Sequence, residues 1–126
     1  MPLTILVVDD DADIRRIAAL SLERIGGFRV VLASSGEEAL TIAAADPPDA
    51  VLLDVSMPGA DGPETLGALR ALPATSAVPV VFFTATSSDA EAERLCALGA
   101  AGVVPKPFDL ADLPRRLHAI LARARV

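Results

Sequence analysis

Six polar side chains hold most of the chemistry this sequence can perform. Asp9, Asp10 and Asp11 follow one apolar run, Asp54 ends another, Thr84 ends a third, and Lys106 follows a fourth. Lys106 is the one lysine of the chain; the other ten of its eleven basic residues are arginine. If these groups converge, four carboxylates face one ammonium. Like charges that close repel, so either one carboxylate takes up a proton or a cation sits among them. Oxygen ligands without His or Cys suit Mg²⁺, with Mn²⁺ as the alternative, and do not suit zinc. A divalent cation, carboxylates and a lysine form a set suited to phosphoryl transfer, because metal and ammonium neutralise the phosphoryl oxygens. A carboxylate can itself attack phosphorus and become an aspartyl phosphate. Asp54, alone at its strand end, is the natural acceptor, and the Asp9/Asp10 pair the natural metal holder. His118, the single histidine, lies mid-way along the last helical segment and is not expected to take part.

The elements that must bring these groups together can be read from periodicity. Leu3–Val8, Phe28–Ala33, Asp49–Asp54, Val78–Ala85 and Gly102–Pro105 are short apolar runs predicted as strands. Between them lie segments with helical spacing, such as Ile14, Ile17, Ala18 and Leu22 ahead of the Gly26–Gly27 stop. Ser35 with Glu38 reads as a capping box. Asp11 reads as a helix cap, Asp61–Gly62 as turn chemistry, and Pro63 as the first position of a helix. Pro114 must fall in or near the first turn of the last helix. Five βα units with uniformly apolar strands predict an α/β fold, a doubly wound parallel sheet covered on both faces. In such sheets ligands bind beyond the carboxyl ends of the strands, which is where all six polar residues fall. Pro105 cannot donate to a ladder, so its strand is expected at an edge.

Composition narrows the class further. A chain of 126 residues with 52% hydrophobic and 22% charged residues suits one domain, 1–126, with a real core. Four Phe and no Trp or Tyr leave Ala, Val and Leu to build most of it. A net charge of −6 and no basic cluster beyond Arg123 and Arg125 argue against direct nucleic-acid binding. Cys96 is alone, so no internal disulfide forms, and its Ala/Leu surroundings predict a small core residue. No apolar run approaches a membrane span and no leader pattern opens the chain, so a cytoplasmic protein without membrane partners is expected.

The segments VVDD, LLDVSMPGADG, TA and KPF, in this order and spacing, resemble the receiver domain of two-component response regulators over about Leu3 to Leu121. The resemblance implies a five-stranded sheet in order 2-1-3-4-5, a flavodoxin-like, CheY-like three-layer sandwich. It implies Asp54 as phosphoacceptor, with Asp10 binding Mg²⁺ directly and Asp9 directly or through water. Ser56 would offer its backbone carbonyl to the metal, and Thr84 would hydrogen-bond the phosphoryl group. Lys106 would pair with the acceptor carboxylate and later with the phosphoryl oxygens. The Lys106–Pro107 bond is expected to be cis. The implied partners are a histidine kinase or a histidine phosphotransfer protein upstream and an effector protein downstream. The protein itself would be a monomer or a weak phosphorylation-dependent dimer. On this view it is a signalling phosphoacceptor with intrinsic phosphorylation and dephosphorylation chemistry, and not an enzyme acting on other molecules.

Two departures from the family pattern stand out. Val103 occupies a position where many members carry an aromatic that rotates inward on activation, so a smaller repacking near Thr84 is expected here. No output domain is expected after the last helix, so the effect is expected to pass through a partner. Ser56 and Thr86, each two residues past a key position, are expected to tune the lifetime of an aspartyl phosphate. Two other classes use similar sheets. A phosphatase of the haloacid-dehalogenase type places its aspartyl nucleophile at the first strand as Asp-x-Asp and then Thr, which is not the pattern here. A flavodoxin-like electron carrier needs a Ser/Thr/Gly-rich phosphate loop where this chain has three aspartates.

Overall fold

The computed structural model describes residues 2–85, 88–106 and 108–124. The expectations placed on Thr86, Pro107 and Arg125 lie outside the described residues. Five strands alternate with five helices: β1 Thr4–Val8, α1 Ala12–Leu20, β2 Arg29–Ala33, α2 Gly36–Ala45, β3 Ala50–Asp54, α3 Gly62–Ala71, β4 Val80–Thr84, α4 Asp89–Ala97, β5 Gly102–Pro105 and α5 Asp112–Ala124. All pairings are parallel and the sheet runs β2-β1-β3-β4-β5. β5 is an edge, as Pro105 requires.

Strand alternation sorts the core into two layers. Ile5, Val7, Leu52, Val81, Phe83 and Val104 face Ala18, Leu113 and Leu117 of α1 and α5. Leu6, Val8, Val51, Leu53, Val80 and Phe82 face Ala39, Leu66 and Leu95 of α2, α3 and α4. β3 and β4 lie in the middle and are buried along their whole length. Phe82 and Phe83 are fully buried, each worth about 1.5–3 kcal/mol of transfer free energy.

Helix starts follow local hydrogen-bonding chemistry. Asp11 caps α1 by accepting from Asp13 N and Ile14 N. Ser35 Oγ accepts from Glu38 N at 3.1 Å, but Glu38 reaches back to Ser34 N rather than to Ser35. Asp61 does more than turn the chain: its Oδ1 accepts from Glu64 N at 2.9 Å and caps α3. Gly62 opens that helix and Pro63 follows it, one position later than expected. Pro114 is the third residue of α5, where no intrahelical donor is lost.

Two expectations need correction, the burial of Cys96 and the lengths of the strands. Cys96 is exposed. α4 buries only Leu95, and the next residue is turned about 100° from that face. Ile17 stays 41% exposed; α1 widens into a π turn at Ser21–Ile25, and its buried contacts come from Ala18, Ser21 and Leu22. The strands are also shorter than the apolar runs: Leu3, Phe28, Asp49, Val78, Pro79 and Ala85 fall outside them. His118 is structural, stacking on Phe28 with ring centroids 4.4 Å apart and placing Nε2 3.2 Å from the Gly26 carbonyl. No described helix is long and apolar enough to cross a membrane.

Candidate functional site

The register brings the strand ends level. Val8 pairs with Leu53, Asp54 with Phe83, and Thr84 with Pro105. The chain then leaves each strand at the same rim, and backbone bonds fix the exits: Asp9 N donates to Ala33 O, Val55 N to Phe83 O, and Lys106 N to Thr84 O at 2.7 Å. Asp9 continues the alternation of Ile5 and Val7, Asp54 that of Leu52, and Lys106 that of Val104. All three therefore fall on the same side of the sheet. Thr84 continues the other alternation, that of Val80 and Phe82.

At the centre of the site, Lys106 bridges two carboxylates. Its Nζ lies 2.7 Å from Asp9 Oδ2 and 3.2 Å from Asp54 Oδ1. Asp9 is 1% exposed and Asp54 6%. Asp9 Oδ1 also accepts from Asp11 N at 2.9 Å, and Ser56 N donates to Asp54 Oδ1 at 3.2 Å. Thr84, 5% exposed, shares a cavity of about 240 Å³ with Asp54, Ser56 and Lys106. Beneath the ammonium, Phe83 stacks on Phe108 at 5.3 Å, and Lys106 Nζ is 5.6 Å from the Phe83 ring centroid.

Electrostatics follow from this packing. Burial is the main cause that pushes the Asp54 carboxyl above its ordinary pKa, with Asp9 adding to it; Lys106 and Ser56 N–H pull the other way. For Lys106, burial acts to lower the pKa, but the hydrogen bond and charge of Asp9, then Asp54, outweigh it and leave it raised. The ammonium is thus held protonated between two anions.

The carboxylate oxygens of Asp9, Asp10 and Asp54 lie within 4.8 Å of one another, with Asp10 exposed to solvent. Three hard oxygen donors, one of them open to water, fit Mg²⁺ or Mn²⁺ and not a soft metal. One lysine leaves this group net negative, so a divalent cation meets an unbalanced charge.

The structure therefore brings Asp9, Asp10, Asp54, Ser56, Thr84 and Lys106 to one rim. It also adds residues that sequence reasoning missed. Arg15 Nη1 donates to the Asp9 carbonyl at 2.7 Å and fixes the turn that carries the acids. Glu91 of α4 joins the lining of the Asp54 cavity. Its position three residues after Ser88 signals only a cap contact, and Ser88 Oγ does accept from Glu91 N. Val103 is half-buried against the α2–α4 layer.

A family model described as the response regulator receiver domain matches residues 5–118. The response regulator MprA of Mycolicibacterium vanbaalenii is 44% identical over 98% of this chain, and the match covers 52% of that protein. The chain thus spans about half the length of the curated relatives it matches. Among solved structures, the chemotaxis response regulator CheY4 of Vibrio cholerae superposes with a TM-score of 0.89 at 30% identity, covering 95% of this chain and 99% of that one. The N-terminal domain of a response regulator receiver protein from Methanoculleus marisnigri gives a TM-score of 0.75 at 40% identity, covering 96% and 98%.

Proposed function

The chain belongs to the response regulator receiver domain family of two-component systems, and from that premise we propose that Asp54 accepts a phosphoryl group from a phosphohistidine on a histidine kinase or histidine phosphotransfer protein. The observation that carries this is Lys106 bridging Asp9 and Asp54 at the strand rim. An Asp54 oxygen forms the bond to phosphorus while the P–N bond to the donor histidine breaks, and the imidazole, its other ring nitrogen already protonated, leaves neutral. Lys106 exchanges its contact with the acceptor carboxylate for one with the phosphoryl oxygens. Thr84, in the same cavity, donates its hydroxyl to those oxygens. The Ser56 N–H that now donates to Asp54 Oδ1 orients the carboxylate.

Asp9, Asp10 and Asp54, with the Ser56 carbonyl, are the residues that would hold Mg²⁺ or Mn²⁺. When bound, the cation supplies neutralisation of charge on the phosphoryl oxygens. Phosphorylation then biases a two-state surface around α4, β5 and α5, read by an effector protein in the cytoplasm, and hydrolysis resets it. Without an aromatic at Val103, the change starts from a smaller repacking around Thr84.

The test is incubation with Mg²⁺ and acetyl phosphate, followed by intact mass. The expected result is a gain of one phosphate, labile at alkaline pH and absent in Asp54→Ala. Equal labelling of that variant would place the acceptor elsewhere.

A further inference from the structure

The cavity above Asp54 has a wall that the phosphoacceptor chemistry leaves unused. Glu91, from the first turn of α4, lines it alongside Asp54, Ser56, Thr84 and Lys106. Glu91 is held from two directions. Its backbone N–H donates to Ser88 Oγ at 3.2 Å. Its carboxylate accepts twice from Arg94, Nη2 to Oε1 at 2.8 Å and Nε to Oε2 at 3.1 Å. Arg94 borders a different groove, with Ser56, Met57 and Asp61 under the β3–α3 loop. Of the pair, the anion lines the reaction cavity, while the cation lines the neighbouring groove. The hydrogen bonds from Arg94, opposed by partial burial and aided by its charge, keep the Glu91 carboxyl below its ordinary pKa and therefore ionised at neutral pH.

We propose that Glu91 is a specificity-determining residue that selects against small, highly anionic phosphodonors and so favours a phosphoryl group delivered by a docked protein. This rests on the reading of Asp54 as phosphoacceptor. A free donor must bring its full negative charge past Glu91 by diffusion, and like charges in a walled cleft lower the local concentration of such a donor. A phosphohistidine arrives with its carrier's docking contacts, which offset the same repulsion. With acetyl phosphate the Asp54 oxygen bonds to phosphorus as the P–O bond to acetate breaks and acetate departs as its anion. With phosphoramidate the P–N bond breaks and ammonia departs, but the donor carries one negative charge fewer at neutral pH. Glu91 therefore slows the first donor more than the second.

The experiment compares labelling rates of Asp54 in saturating Mg²⁺ for the wild type, Glu91→Gln and Arg94→Ala, with both donors and at two ionic strengths. Glu91→Gln should raise the acetyl phosphate rate by about threefold to tenfold, with a smaller gain for phosphoramidate. That gain should shrink in high salt. Arg94→Ala loosens the carboxylate but keeps its charge, so it should not raise either rate. An equal effect of Glu91→Gln on both donors, no effect on either, or acceleration by Arg94→Ala would overturn the selectivity role while leaving the phosphoacceptor reading intact. If a folded wild-type protein is labelled by neither donor, both readings fall together.

Discussion

Lys106 stands nearer to Asp9 than to the residue it is meant to serve: its ammonium is 2.7 Å from Asp9 Oδ2 and 3.2 Å from Asp54 Oδ1. The lysine is thus anchored by an acid that does not react and shared with one that does. A compact point charge on a flexible stem can hold the first contact while it shifts the second from carboxylate to phosphoryl oxygen.

Arginine would set a broad planar fork where a compact ammonium now sits between two carboxylates. Lys106→Arg should therefore keep the fold, with a melting temperature within about 5 °C of wild type, and cut the acetyl phosphate labelling rate by about tenfold or more. Circular dichroism and intact mass read the two halves. Wild-type labelling kinetics in this variant would mean that the single lysine carries no chemical requirement.

Stability should depend on pH through Asp54. Its carboxyl is raised above 3.8 mainly by burial, then by Asp9, so the native state binds that proton more tightly than the unfolded chain does. The favourable contribution is complete below the unfolded value and is lost as pH rises through the native pKa. At pH 7 the ionised Asp54 thus costs stability, and Asp54→Asn should melt higher than wild type. That gain should narrow as pH is lowered through the raised native pKa, where the wild-type carboxyl regains its proton. Thermal melts between pH 4 and 8 decide it; a variant less stable than wild type at pH 7, or a gain independent of pH, would contradict the assignment.

Cation binding to the native acid cluster should stabilise the fold by mass action. At a Mg²⁺ concentration 100 times its dissociation constant the gain is about 2.7 kcal/mol, less any affinity of the unfolded chain. The melting temperature should rise with Mg²⁺ and return with EDTA. The rise should be largely lost in Asp10→Asn, because Asp10 is the exposed member of the three-carboxylate group. A wild-type melt indifferent to Mg²⁺ would remove the metal from the mechanism.

How much of this was legible in the sequence depends on where each signal is stored. Asp54, Thr84 and Lys106 can be found because uniformly apolar strands end on them, and a parallel sheet places all such ends at one rim. The edge position of β5 shows in Pro105, a residue that cannot donate. Cys96 looks like a core residue in sequence because an Ala/Leu helix has no sharp apolar face, whereas α4 turns only Leu95 inward. Arg15 and Glu91 stayed hidden for a different reason. Their roles depend on distances between elements, from α1 to the Asp9 carbonyl and from α4 to the Asp54 cavity, and no local spacing encodes those distances. Asp61 looked like a turn residue because capping and turning use the same side-chain chemistry.

Gly62 ties the fold to the site most directly. Its place after Asp61 suggests turn chemistry, but its requirement is space: an added Cβ would lie 2.5 Å from the Asp54 carbonyl oxygen, 2.8 Å from Val55 Cα and 2.9 Å from the Phe82 ring. Two of those neighbours are backbone at the end of β3, which cannot yield by a rotamer change. Its N–H also donates to Val55 O at 2.9 Å, so α3 starts hard against the acceptor's own backbone. Gly62→Ala should cost about 1–3 kcal/mol through overpacking and shift the main chain that carries Asp54. The labelling rate should fall together with stability. Gly67→Ala, in the same helix with nothing within 4 Å of the added Cβ, should be neutral or slightly stabilising and leave labelling unchanged. Urea titration and acetyl phosphate kinetics on the two variants separate a steric contact at the site from a general effect on α3. Equal behaviour of the pair would mean that the close approach of Gly62 to Asp54 has no functional weight.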